Sequence, residues 1–282
     1  MKLPKLIAMD LDGTILEEGI RISDRVLKAL AAVRERGVVL TIATGRSLQS
    51  CPEELLDGRI FAYAMVANGA LTLTLPEAEI IDSEMMKSDD LLAAMRRLEA
   101  LGYCFTMQTE GAEYYEERRL KQAMERNARF PERWEGFHLY LSKTVSTPSI
   151  FEILEKPNQD IVKISASNIY VEDSTKLAEE IAESLGIEAA PVSPREIEFT
   201  SRKATKGLAV RKLAERLGIA KADVIAFGDG GNDVSFPDGA GRVYAVENAR
   251  PELIAVADEV ILGILQDGVA QVLEGLLAAD PA

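Results

Sequence analysis

Two aspartates spaced two residues apart, Asp10 and Asp12 in the segment DLDGT, carry the clearest chemical signal in the chain. The short apolar run before them, residues 4–9 (PKLIAM), reads as a buried strand that delivers Asp10 to a loop. Gly13 lets the backbone turn sharply there. A carboxylate pair at a strand end offers hard oxygen donors suited to Mg²⁺, which usually keeps waters for a substrate phosphate to replace. A carboxylate can also attack phosphorus and form an aspartyl phosphate. The second carboxylate can then protonate the leaving oxygen and deprotonate the water that cleaves the intermediate. An EF-hand loop would need glycine at its sixth position, and Gly13 stands fourth from Asp10, so that reading fails. A plain acidic turn after a strand remains the competing reading of this segment taken alone.

A second segment, GDGGND (Gly228 to Asp233), adds Asp229 and Asp233 as further metal ligands. Its Gly230 and Gly231 leave backbone N–H groups open to an anion. A dinucleotide loop is the rival, but its third glycine position holds Asp233, and two carboxylates would face the pyrophosphate. Metal binding is preferred. Thr44-Gly45-Arg46 ends another apolar run. Its hydroxyl and loop N–H groups suit phosphate oxygens, and Arg46 supplies a fork-shaped cation; taken alone, the tripeptide is more often just a turn. Lys206, in RKATKG, could neutralise charge on a transferring phosphoryl group. Lys203 is its near rival, and an exposed lysine at a helix start is the commoner case. No GxxxxGK[ST] motif occurs, so a nucleotide P-loop is absent.

These groups need elements to hold them. A helix is expected from about Ser23 to Arg36, with Ser23 as N-cap, a face of Val26, Leu27, Leu30 and Val33, and Gly37 as its stop. VVLTIAT and FAYAMVAN follow as apolar strands, the second ending at Asn68-Gly69. Lys206 to Leu217 reads as a helix, DVIAFGDGGND carries a strand into the glycine-rich loop, and residues 242–246 and 258–262 read as two more strands. Alternating strands and helices predict an α/β fold with a Rossmann-like parallel sheet covered on both faces. Ligands in such folds sit beyond the carboxyl ends of the strands. Asp10, Thr44, Asn68 and Asp229 all stand at such ends and should converge on one crevice. The middle of the chain contains no such clusters. It reads as a helix (SDDLLAAMRRLEALG), a strand (YCFTMQ), a charged helix (EYYEERRLKQAMERNARF), a strand (DIVKISA) and a helix (DSTKLAEEIAESLG). The expectation is a catalytic core of residues 1–83 and 197–282, interrupted by an α+β domain at 84–196.

The 282 residues are 47% hydrophobic and 28% charged, enough apolar material for a real core. No apolar run approaches the roughly 20 residues that cross a bilayer, and the first residues lack the pattern of a signal peptide. A cytoplasmic protein is expected. Cys51 and Cys104 read as reduced core thiols. The single histidine, His138, excludes His-rich metal sites and the usual nucleophile–histidine–acid relay. The formal net charge of −14 disfavours nucleic acid and anionic membranes as partners. It also repels small phosphate esters, so cations must be gathered locally.

Together and in this order, the segments resemble the haloacid dehalogenase superfamily of phosphohydrolases, whose motifs run Asp-x-Asp, Thr/Ser, Lys, then Gly-Asp-x-x-x-Asp. The inserted domain, Asn68-Gly69-Ala70 and Lys206-Gly207 are similar to the Cof-type subgroup with its large class IIB cap. The resemblance implies Asp10 as nucleophile and metal ligand, and Asp12 as acid/base that also lends a backbone carbonyl to Mg²⁺. It implies Asp229 as a metal ligand and Asp233 as support for the metal or its waters. Thr44 and Lys206 would hold the phosphate with Asn232 assisting, and Leu11, Gly45, Arg46 and Asn68 complete the expected phosphate surroundings. The activity implied is Mg²⁺-dependent hydrolysis of a small phosphorylated metabolite, a sugar phosphate ahead of flavin mononucleotide or pyridoxal phosphate, by a monomer or homodimer. A sugar phosphomutase of the same fold and a non-catalytic ligand-binding protein are the rivals. The cap would choose the leaving group, with Tyr114, Tyr115, Lys163 and His138 as candidate contacts. One departure stands out: Phe236-Pro237 follows GDGGND where the subgroup usually has a Met-Leu-type pair, which is expected to shift that loop.

Overall fold

The run that ends at Asp10 forms β1 (Leu6–Met9), and all four of its residues are buried. Burial on both faces is what a continuous apolar strand requires, and only a central position in a covered sheet provides it. The computed structural model describes residues 2–17, 21–127 and 141–280. Numbered along the chain, β1 is followed by β2 (Val39–Ala43), β3 (Tyr63–Val66), β4 (Leu71–Thr74) and β5 (Ile80–Ser83). Much later come β14 (Val224–Gly228), β15 (Arg242–Val246) and β16 (Glu259–Ile261). They form one eight-stranded sheet in the order β16-β15-β14-β1-β2-β3-β4-β5. Strands from β16 to β3 are parallel, with Leu6 opposite both Val224 and Val39. The expected α/β class is therefore present. Beyond β3 the sheet turns antiparallel through β4 and β5, an extension that the parallel-sheet expectation does not contain.

Helices cover this sheet where the apolar periodicity places them. Helix α1 (Asp24–Glu35) buries Val26, Ala29, Leu30 and Val33, and the Ser23 hydroxyl accepts from the Val26 N–H at 3.1 Å as its N-cap. Helix Lys206–Arg216 starts in the same way, with Thr205 accepting from the Leu208 N–H at 3.2 Å. That cap fixes where the first residue of the helix, Lys206, points.

The chain divides into two units, Met1–Ser83 with Ala204–Ala282, and Glu84–Lys203. The second unit contains β6 (Met86–Lys87), β7 (Cys104–Gln108), β8 (Glu113–Glu116), β9 (Val145–Thr147), β10 (Asp160–Ile161), β11 (Lys163–Ser167), β12 (Glu188–Ser193) and β13 (Glu196–Thr200). Six of these form a sheet in the order β12-β13-β11-β7-β8-β9, and β6 pairs with β10. Phe105, Met107, Ile164, Ala166, Ile197 and Phe199 pack from this sheet onto Leu91, Met95 and Leu98 of α2 (Ser88–Ala100) and Ala178 and Ile181 of helix Thr175–Leu185. Because β13 pairs with β11 and β12, this unit runs past residue 196, where the sequence alone places its end. Residues 113–116 (EYYE) differ from expectation too. They form β8, antiparallel to β7, and the charged helix α3 begins only at Glu117 (Glu117–Asn127). Two adjacent tyrosines favour a pleated strand. The buried Glu116 carboxylate then accepts the Phe105 and Ile150 N–H groups at 3.0 and 3.1 Å. No helix among the described residues is long and apolar enough to cross a membrane.

Candidate active site

Because β1, β2, β3 and β14 run parallel, Asp10, Thr44, Asn68 and Asp229 leave the sheet at the same edge. Asp10 is anchored first by its backbone, whose N–H donates to the Phe227 carbonyl of β14 at 3.0 Å. Its side chain is buried and fully directed: Oδ2 accepts from the Thr14 hydroxyl at 2.8 Å and Oδ1 from Lys206 Nζ at 2.6 Å. Gly13 makes this turn possible. It sits at φ +77, and a Cβ there would lie 2.2 Å from Asp229 Oδ2. Glycine is therefore required both by the left-handed backbone and by the close approach of the Asp229 carboxylate.

Lys206 is 1% exposed and bridges two carboxylates, reaching Asp233 Oδ1 at 2.6 Å as well. Asp233, with no exposed surface, is satisfied on its other side too, since Oδ2 accepts the N–H groups of Asp229 and Gly230 at 3.0 and 2.8 Å. It braces the glycine-rich loop and orients Lys206. The rival Lys203 is exposed. Residues Gly231–Asp238 wind as a 3₁₀ helix, the Phe236 ring is buried, and Lys206 Nζ lies 5.8 Å from its centroid. Ser235 was not singled out by sequence reasoning, yet its hydroxyl accepts the Gly207 N–H at 3.0 Å and ties this loop to the helix of Lys206.

Thr44, Asn68 and Asn232 are joined to one another. The Thr44 hydroxyl accepts the Arg46 N–H at 3.2 Å, and the Thr44 carbonyl accepts the Asn68 N–H at 3.0 Å. Ala67 and Asn68 hold left-handed backbone, φ 50 and 61. This sets the Asn68 amide to accept from Asn232 Nδ2 at 2.8 Å. Gly45 leaves room for that pair, since a Cβ there would lie 2.9 Å from Asn68 Oδ1. Leu11 is buried, so anything it offers an anion comes from its backbone. Arg46 is turned to Asp12: Nε and Nη2 donate to the two Asp12 oxygens at 2.7 and 2.5 Å, and Nη1 donates to the Ser50 carbonyl at 2.7 Å.

Burial, and then the neighbouring Asp233 charge, push the Asp10 carboxyl up to about 8, with Lys206 pulling the other way. The same two causes raise Asp229 to about 6. Burial would lower Lys206, but Asp10 and Asp233 outweigh it and hold its ammonium above the ordinary range. Oxygens of Asp10, Asp229 and Asp233 lie within 4.8 Å of one another. One lysine balances these three carboxylates. The residual charge, the all-oxygen donor set and the raised carboxyls fit a hard divalent cation.

The comparisons with known proteins bear on this geometry. The family model of haloacid dehalogenase-like hydrolases matches residues 7–273. The chain belongs to this family. Among curated relatives, the phosphatase YwpJ of Bacillus subtilis is 29% identical, with 97% of this chain and 100% of that protein aligned. The 5-amino-6-(5-phospho-D-ribitylamino)uracil phosphatase YcsE of the same organism is 28% identical over 95% of this chain and 93% of that protein. Among solved structures, a haloacid dehalogenase-like hydrolase from B. subtilis superposes with a TM-score of 0.79 at 27% identity, covering 97% of this chain and all of the other. The subclass IIB sugar phosphatase BT4131 shares the fold, with a TM-score of 0.78 at 22% identity over 96% and 98% of the two chains. The expected family, its Cof-type subgroup and the phosphatase class are borne out. The family generally works with a divalent metal, and the Asp10, Asp229 and Asp233 cluster is present for one.

Of the candidate contacts in the second unit, Lys163 is buried against Glu198 at 2.8 Å, and Tyr114 packs on the hydrophobic cluster. Tyr115 is buried on β8. His138 lies outside the described residues.

Proposed function

We propose that this protein hydrolyses a small phosphomonoester through a phospho-aspartate at Asp10, with Mg²⁺ as its metal. The observation that carries the reading is the buried Asp10 carboxylate, held at both oxygens by Lys206 and Thr14 at the end of the central strand. A nucleophile must be presented in one orientation, and these two bonds with the Phe227 backbone contact fix it. Asp10 and Asp229, with the Asp12 backbone carbonyl, would hold Mg²⁺, which when bound neutralises phosphate charge and keeps the carboxylates ionised. Asp233 supports that site by fixing the loop and Lys206.

Asp10 attacks phosphorus in line with the ester oxygen, and the P–O bond to the leaving group breaks as the Asp10–phosphorus bond forms. Lys206, Thr44 and the Asn68–Asn232 pair surround the transferring group with donors and charge. Asp12 gives its proton to the departing alkoxide, then accepts one from the water that cleaves the acyl phosphate and regenerates Asp10. The name of YcsE, a phosphatase of a phosphorylated ribityl compound, favours a sugar or sugar-alcohol phosphate.

The experiment is phosphate release from a panel of phosphomonoesters with Mg²⁺ or EDTA, beside Asp10→Asn. Metal-dependent release lost in the variant supports the reading. Isomerised sugar phosphate without free phosphate would instead select a mutase, and ligand binding without turnover a binding protein.

A further inference from the structure

Arg46 and Asp12 were each expected to serve the reaction separately, Arg46 on the phosphate and Asp12 on the leaving oxygen. The structure pairs them with each other, 34 residues apart, as a two-point fork. Burial pulls the Arg46 guanidinium down, but its bonds to Asp12 outweigh this and hold it above its ordinary value. Both oxygens of Asp12 are engaged by the group that a phosphate would need, and the guanidinium is engaged by the group that the leaving oxygen would need.

We infer that Arg46 exchanges partners on substrate binding: the phosphate takes the guanidinium fork from Asp12, and the released Asp12 becomes available to the leaving group. The inference rests on the phosphatase reading and concerns how that site is switched on. Three features of the pair say which side moves. The Arg46 backbone is held at both ends of its peptide units, its N–H on the Thr44 hydroxyl and its carbonyl on the Ala67 N–H. Its Nη1 is held by the Ser50 carbonyl, which keeps the fork in place when the other two donors change partner. The Asp12 side chain is 50% exposed against 20% for Arg46, so Asp12 can turn into water at little desolvation cost. The exchange is also favourable in charge. Only Asp12 of the pair is half exposed, and a phosphate dianion offers the guanidinium the same bidentate geometry with twice the charge. Substrate binding and release of the Asp12 carboxylate then become one event, and Asp12 stays engaged until a phosphate is present.

The test is a double-mutant cycle read by calorimetric titration of inorganic phosphate in saturating Mg²⁺. It uses the full chain, Asp12→Ala, Arg46→Gln and the double variant. If Asp12 competes for Arg46, Asp12→Ala tightens phosphate about tenfold when Arg46 is present and less than about twofold when it is Gln, the difference being the coupling of the two residues. A general structural disturbance would not produce that pattern, because it would not tighten binding. Equal tightening in both backgrounds, the mark of simple repulsion between Asp12 and the anion, would overturn the exchange and leave the phosphatase reading standing. No phosphate binding by any of the four proteins would overturn both.

Discussion

The cluster of Asp10, Asp229 and Asp233 should make the metal-free protein less stable as pH rises, and Mg²⁺ should remove the effect. In the folded metal-free chain the Asp10 carboxyl is pushed from 3.8 up to about 8, chiefly by burial and then by Asp233. A carboxyl whose folded value lies above its unfolded value favours folding while protonated. That contribution is complete below about pH 4 and is lost as pH climbs through the folded value. Between pH 6 and 8 the unfolded chain has already released this proton and the folded chain still holds it. The loss therefore runs at close to 1.4 kcal/mol per pH unit, about 2–3 kcal/mol over the interval. At roughly 2–4 °C per kcal/mol for a chain of this size class, the Tm in EDTA should fall by about 5–10 °C. Asp229, raised to about 6, adds to the fall at the lower end of the interval. Saturating Mg²⁺ binds the ionised carboxylates and should flatten the profile, with its largest stabilisation at the higher pH. The assay is thermal unfolding by circular dichroism from pH 6 to 8, in EDTA and in Mg²⁺, for the natural chain and for Asp10→Asn. The variant lacks the titrating group, so the difference between the two profiles isolates it from every other carboxyl. Equal slopes for the two proteins in EDTA would refute the reasoning.

Lys206→Met should destabilise the metal-free protein by about 3–5 kcal/mol, because it leaves Asp10 and Asp233 buried without their shared cation; urea unfolding at pH 8 measures it. Asp12→Asn should leave stability within about 1 kcal/mol, since the Asp12 side chain is half exposed and its replacement still accepts from Arg46. The same change should lower kcat about 10²–10⁴-fold on esters with poor leaving groups, and much less on nitrophenyl phosphate, whose leaving oxygen needs no proton. Gly13→Ala should cost more than about 1 kcal/mol and weaken Mg²⁺ binding, because the new methyl would meet the Asp229 carboxylate at 2.2 Å on a left-handed backbone. Calorimetric titration of Mg²⁺ reads that loss, and unchanged affinity would show that Asp229 is not a ligand.

Much of this site was legible because its signals are local. An apolar run ending in an acidic or glycine-bearing turn announces a strand and the residue at its end, and Asp10, Thr44, Asn68 and Asp229 do stand beyond parallel strands at one edge of the sheet. What could not be read is whatever depends on a partner far along the chain. The same charged, tyrosine-bearing segment extends a helix or pairs as β8, and only the neighbouring β7 decides between them. Asp233 belongs to the acidic cluster, and its contacts with Lys206, distant in sequence, and with two backbone N–H groups are what the residue type alone does not disclose. The burial of the Phe236 ring near Lys206, 30 residues away, is likewise set by packing that the local sequence does not show. A chain with a net charge of −14 needs local cations to hold a phosphate, and the sequence offers Lys206 and Arg46. In the folded protein both are already engaged by aspartates. Two cations thus stand among the four carboxylates of Asp10, Asp12, Asp229 and Asp233. A phosphate arriving without help would meet a site that is still negative, so a divalent cation and a release of Arg46 from Asp12 are each a way for the same residues to accept an anion.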